Sequence, residues 1–280
     1  MSLPTAAARP DPTKISAGGY AIDSKVVSGI RRASAATGID FGYLMAQAAQ
    51  ESGFRTDARA STSSAAGLYQ FIESTWLAMV RDHGAKHGAG ELAKQIETGP
   101  NGEARVADPA LKARILELRD DARLNAALGA EYARGNKATL EGALGRQAAA
   151  SDLYLAHFLG PQGAVQLLQA IEQNGSRAAA ELLPKAAAAN PSIFYDAEGN
   201  PRTVRELQRL LGDKIERKTD AFAGLGKDAA MSSYFAGTTP RAGSAVAGAF
   251  GLPKLSVLSV LALSAYELLT AKQEEHNRRT

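Results

Sequence analysis

Apolar positions along this chain recur at helical spacing, and the clearest stripe ends on an acid. Phe41, Leu44, Ala48 and Glu51 fall at i, i+3, i+7 and i+10, one face of a helix that Asp40 can cap and Gly53 can end. Glu51 thus stands where an apolar residue is expected. Burial disfavours the charged form of a carboxyl, and a general acid working near neutral pH has to hold its proton. The plainer alternative is a glutamate that reaches solvent at a frayed helix end.

The same periodicity continues along the chain. Val26, Val27 and Ile30 predict a helix from about Ser24, and Ser74 opens another. Leu111, Ile115 and Leu118 mark a third, and Leu124, Leu128 and Tyr132 a fourth. Residues 152–160 and 163–171 also read as helical. Thr203 with Glu206 has the form of a capping box. Between His83 and Pro109, Gly84, Gly88, Gly90, Gly99 and Gly102 predict an exposed excursion with a short helix near Glu91 to Ile96. Alternating β runs are absent, so the expected fold is mainly α with few or no strands.

Residues 1–20 are rich in Pro, Ala and Ser and are expected to be a disordered tail. Residues 21–212 are expected to form one catalytic domain. From 213 to 250 Gly, Ala and Ser accumulate, which predicts a flexible linker, and 251–280 reads as an apolar helix with a charged end. The apolar run 255–269 falls short of the roughly 20 residues that a bilayer-spanning helix needs, and it contains Glu267. It predicts a helix packed on a protein partner or on the catalytic domain, with a membrane surface as the alternative.

Composition narrows the chemistry. The net charge is only +3 and no basic-aromatic stripe occurs, so nucleic acid is not an expected partner. The chain has no cysteine, which excludes a thiol nucleophile, a disulfide framework and Cys-ligated metals. His83 and His87 have a metal-ligand spacing, but no Glu follows His83 and two glycines weaken the helix, so no metal is expected. Neither a Gly-x-x-x-x-Gly-Lys loop nor a Gly-x-Ser-x-Gly elbow is present, which removes nucleotide hydrolysis and acyl transfer.

After Phe54 the chain becomes small and polar, Arg59-Ala60-Ser61-Thr62-Ser63-Ser64-Ala65-Ala66-Gly67, and then runs Leu68-Tyr69-Gln70-Phe71. Such a loop displays hydroxyls and backbone amides, as a binding surface does. In these elements the chain resembles the Slt-type lytic transglycosylases, lysozyme-like enzymes that cleave peptidoglycan glycan strands. Glu51-Ser52 matches that family's Glu-Ser pair, Ser61 its loop serine, and Gly67-Leu68-Tyr69-Gln70 its Gly-Leu-Met-Gln with Tyr for Met. Its fourth element, Ala-Tyr-Asn-x-Gly, aligns with Ala156-His157-Phe158-Leu159-Gly160, so His157 replaces the Tyr and Phe158 the Asn.

The resemblance implies a lysozyme-like domain in which Glu51 alone protonates the glycosidic oxygen. Glu51 then takes the proton of the muramic C6 hydroxyl, giving a 1,6-anhydro sugar. Ser52, Ser61, Gly67, Tyr69 and Gln70 are expected to orient the acid or bind the N-acetyl sugars. His157, or Tyr154 three residues earlier on the same helix face, is expected to supply the hydrogen bond of the family's tyrosine. No cofactor is implied, and the expected partner is the peptidoglycan glycan strand. Two rivals stay open: a hydrolytic muramidase that uses Glu73 or Asp57 as a second acid, and a non-catalytic glycan-binding protein of an assembly. The implied substrate lies in the cell envelope, whereas the first 19 residues lack the apolar core of a secretory signal, so the expectation is either that the chain as given is trimmed or that export uses another route, such as a flagellar or phage-type system.

Overall fold

The computed structural model describes residues 11–227 apart from Pro12 and Thr62. The expected apolar helix at 251–280, the linker beyond 227 and residues 1–10 of the expected tail lie outside the described residues. The elements run β1 (Lys14–Ala17), β2 (Tyr20–Asp23), α1 (Ser24–Thr37), α2 (Phe41–Glu51), α3 (Glu73–His83), α4 (Gly90–Ala93), β3 (Glu97–Thr98), β4 (Ala104–Arg105), α5 (Pro109–Glu117), α6 (Ala122–Leu144), α7 (Ala150–Asn174), α8 (Ala179–Leu182), α9 (Pro184–Ala189), α10 (Pro191–Phe194) and α11 (Val204–Lys227). Two 3₁₀ turns, Gly84–His87 and Leu118–Asp120, complete them. The fold is mainly α, as the periodicity predicts. Its strands form two short antiparallel hairpins, β1–β2 with Ile15 opposite Ile22, and β3–β4.

The long helices α6 and α7 pack against each other, α1 lies along α6, and α11 covers both α2 and α7. Ile30, Leu44, Met45, Trp76, Leu128 and Phe194 are fully buried in the core between them. Removing each such side chain from water contributes about 1.5–3 kcal/mol. Trp76 also donates its indole N–H to the Ile115 carbonyl at 2.8 Å, which ties α3 to α5 without leaving a buried donor unpaired. Among the described residues no helix is long and apolar enough to cross a membrane.

Several boundaries differ from the sequence expectations. Residues 14–20, assigned to the tail, build β1 and lead into β2, where Ile22 enters the core. The helical packing does not stop near 212, where the sequence expectation ended the domain. Leu207, Leu211, Ile215 and Phe222 carry a buried stripe along α11 through the first part of the expected linker, because helical spacing of apolar residues outweighs local Gly content. α3 begins at Glu73, with Ile72 in the cap position and no side-chain cap bond, so Ser74 lies inside the first turn. The 83–109 excursion carries the β3–β4 hairpin besides its short helix. At α11 the capping box forms as read: Thr203 N donates to Glu206 Oε2 at 2.8 Å and Glu206 N to Thr203 Oγ1 at 3.2 Å.

α7 consists of two helical halves. Gly160 adopts φ 72° and ψ 158°, and Pro161 starts the second half, where its missing N–H leaves no bond unmade. The break follows closely on His157.

Candidate active site

Asp40 Oδ1 accepts from Tyr43 N at 2.8 Å and opens α2, and Glu51 is its last residue. Ser52 N still donates to the Ala48 carbonyl, after which Gly53 at φ 59° and Phe54 at φ 66° turn the chain away. A phenylalanine at positive φ costs of order 1–3 kcal/mol, and packing offsets it here. The Phe54 ring meets Tyr20 of β2 edge-on at 5.1 Å and Phe222 of α11 at 5.6 Å. The β1–β2 hairpin and α11 therefore clamp the turn that directly follows the acid.

The Glu51 side chain is only 6% exposed, and its Oε1 lies 3.2 Å from His157 Nε2. His157 is buried in turn. Its Nδ1 sits 2.9 Å from Gln47 Nε2, one turn before Glu51 on α2. Tyr154 stacks on the imidazole at 5.9 Å and Tyr132 of α6 meets it edge-on at 6.4 Å. Burial, reinforced by the Glu51 charge, pushes the phenols of Tyr43 and Tyr154 well above the usual tyrosine range. Both stay neutral beside the acid. A small cavity adjoins this cluster, bounded by Gln47, Tyr69, Gln70, Thr75, Tyr132 and His157.

The remaining candidates from the sequence divide by where their polar atoms point. Ser61 is exposed on the loop. Ser52 is buried and its hydroxyl donates to the Ala48 carbonyl at 3.2 Å, within its own helix end. The Tyr69 hydroxyl donates to the Leu44 carbonyl at 2.9 Å, and Gln70 Nε2 donates to the carbonyls of Gly67 and Ala58 at 2.8 and 3.2 Å. The Tyr69 donor thus fastens the loop to α2, Gln70 braces the loop on itself and Ser52 closes its own helix end, so none of the three donors faces outward. Gly67 is required by space as well as by its φ of 82°, since a Cβ there would stand 2.1 Å from the Arg119 carbonyl oxygen.

Three residues that the sequence did not single out complete the site. Gln47 carried a signal, a polar side chain at i−4 from Glu51 on a buried face. Asn125 of α6 accepts from Tyr69 N at 3.0 Å and donates to the Arg119 carbonyl at 2.7 Å, so it holds the loop in place. Tyr132 gave no signal beyond its apolar stripe. Of the candidate second acids, Glu73 is ion-paired with Lys112 and Asp57 is exposed on the loop.

The family model for the transglycosylase SLT domain matches residues 28–183. The chain belongs to this family. Membership gives it, in general terms, a peptidoglycan lytic transglycosylase-type function and a lysozyme-like fold. The match runs from within α1 to the end of α8 and so takes in α2, the loop and the His157 half of α7. It stops short of β1, β2 and α11. In this SLT protein those additional elements supply Tyr20 and Phe222, which pack the turn behind the acid.

Proposed function

We propose that this chain cleaves the β-1,4 bond between N-acetylmuramic acid and N-acetylglucosamine without water, with Glu51 as sole acid and base. The observation that carries this reading is the buried Glu51 carboxyl held at one oxygen by His157 while the candidate second acids Glu73 and Asp57 are, respectively, ion-paired and exposed elsewhere. Protonated Glu51 gives its proton to the glycosidic oxygen as the C1–O bond breaks. The muramic C6 hydroxyl attacks C1 and releases its proton to the Glu51 carboxylate, which restores the starting acid and closes the 1,6-anhydro ring. A hydroxyl already tethered to the sugar has a high effective concentration, so no second carboxylate is needed to activate water. The site of action that follows is the glycan of the cell envelope.

Digestion of purified peptidoglycan and mass analysis of the products test this reading. The expected ends are 1,6-anhydro-muramic residues, lighter by one water than hydrolysed ends, and Glu51→Gln should lower the rate by about 10⁴ or more. Reducing ends, with activity lost in Glu73→Gln or Asp57→Asn, would make the chain a muramidase. No turnover at all would make it a glycan binder.

A further inference from the structure

The imidazole between Gln47 and Glu51 presents a choice that decides where the acid's proton sits. A neutral imidazole has one donor and one acceptor nitrogen. Gln47 Nε2 faces Nδ1 at 2.9 Å, and Nε2 faces Glu51 Oε1 at 3.2 Å. An amide N–H directed at Nδ1 requires Nδ1 to be the acceptor, which leaves the ring proton on Nε2, aimed at the carboxyl. Oε1 then accepts, and a proton on Glu51 is confined to Oε2, the oxygen free to meet a substrate.

The reverse arrangement traps the acid. If Gln47 offered its carbonyl, the ring proton would move to Nδ1 and the bare Nε2 would accept the Glu51 proton at Oε1, away from the glycan. If the ring were doubly protonated, Glu51 would be held as a carboxylate and could donate nothing. Packing favours the first arrangement. Gln47 is 3% exposed, and Oε1 is its buried atom without a partner, whereas the flipped amide would leave a buried NH₂ unpaired. Under-satisfied carbonyls are tolerated more often than orphaned N–H groups.

We propose that Gln47 is a positioning residue that locks His157 as the Nε2–H tautomer and thereby keeps the catalytic proton on Oε2 of Glu51. This rests on Glu51 being the general acid. The role belongs to this chain's His157, since it requires an imidazole in place of the phenol that the family pattern carries at this position.

Nitrogen NMR of the full chain labelled at its histidines reads the tautomer directly. The wild type should show His157 with Nε2 protonated and Nδ1 bare, assigned by loss of its signals in His157→Phe. Gln47→Met, of similar length but without a donor, should give mixed tautomers and a kcat lower by about tenfold with KM unchanged. Gln47→Glu presents an acceptor to Nδ1 and should reverse the tautomer and lower kcat further. An Nδ1–H tautomer in the wild type overturns the proposal whatever the variants do, and so does a Gln47→Met protein that keeps both the tautomer and the kcat. The spectrum needs no turnover, so its outcome is separate from that of the acid itself, which the activity of Glu51→Gln reports.

Discussion

His157 Nε2 lies 3.2 Å from Glu51 Oε1 although 106 positions separate the two residues in the chain. Where the family pattern places a tyrosine, this chain brings an imidazole to the same carboxyl. An imidazole can supply the hydrogen bond that the resemblance implies for the tyrosine, because both side chains can carry a donor at the edge of a rigid ring.

Replacing His157 should separate that donor from the volume of the ring. His157→Phe keeps the stacking on Tyr154 but removes the bond to Glu51, and kcat should fall by about 10- to 100-fold with little change in thermal midpoint. His157→Tyr restores a donor and should recover a large part of that loss. Steady-state rates on soluble glycan strands, beside melting curves, check both. Equal rates for Phe and Tyr would remove the hydrogen bond from the argument.

Tyr69→Phe should affect stability and leave catalysis nearly alone. Its hydroxyl donates to the Leu44 carbonyl in the core, so deletion should cost about 1 kcal/mol in denaturant unfolding. A selective rise in KM with unchanged stability would instead put Tyr69 on the substrate, as the sequence reading expected.

Glu131 should govern part of the acid sensitivity. Its buried carboxylate is met by Arg134, by His87 at 3.2 Å and by His83 at 3.8 Å. Burial alone would raise its pKa, but the hydrogen bonds from Arg134 and His87 and the neighbouring positive charges outweigh burial and hold it below the ordinary 4.5. As pH falls below about 4.5, the unfolded chain takes up this proton before the folded one does, so the stabilisation present at pH 7 is lost through the acid range. The thermal midpoints of wild type and Glu131→Gln should differ most near pH 7 and converge towards pH 3. A constant gap would show that Glu131 does not titrate differently in the two states.

Lys218 is shifted in the same downward direction, but there it is the charged form that folding disfavours. Burial, helped by the Lys214 charge and opposed by Glu51, lowers its pKa from 10.5 to about 8, while its Nζ donates to Gln50 Oε1 at 2.8 Å. Between pH 8 and 10.5 the unfolded chain holds a proton that the folded chain has released, so stability rises with pH across that window. Below pH 8 the penalty of burying the ammonium is fully in force. Lys218→Met should therefore gain most relative to wild type near pH 7, and the gain should shrink as pH approaches 10.5. A difference that stays constant with pH would mean that Lys218 titrates as an exposed lysine.

Helical periodicity, capping signals and the motif order were legible in the chain itself. The stripe from Phe41 to Glu51, the Asp40 cap and the Thr203–Glu206 box are local patterns, and local hydrogen bonds and a 3.6-residue repeat suffice to specify them. Glu51 was readable for the same reason, as an acid at an apolar position. Contacts distant in sequence were not. The orientation of Tyr69 depends on the loop folding back over α2 and on Asn125 reaching it from α6. The Tyr20–Phe54–Phe222 cluster depends on β2 and α11 meeting across a large separation in sequence, which apolar burial drives but no short-range pattern encodes. The pairing of His157 with Gln47 and Glu51 is likewise set by tertiary packing, with α11 lying on both α2 and α7, since a hydrogen bond needs its partners within about 3 Å and only the packed core brings them there.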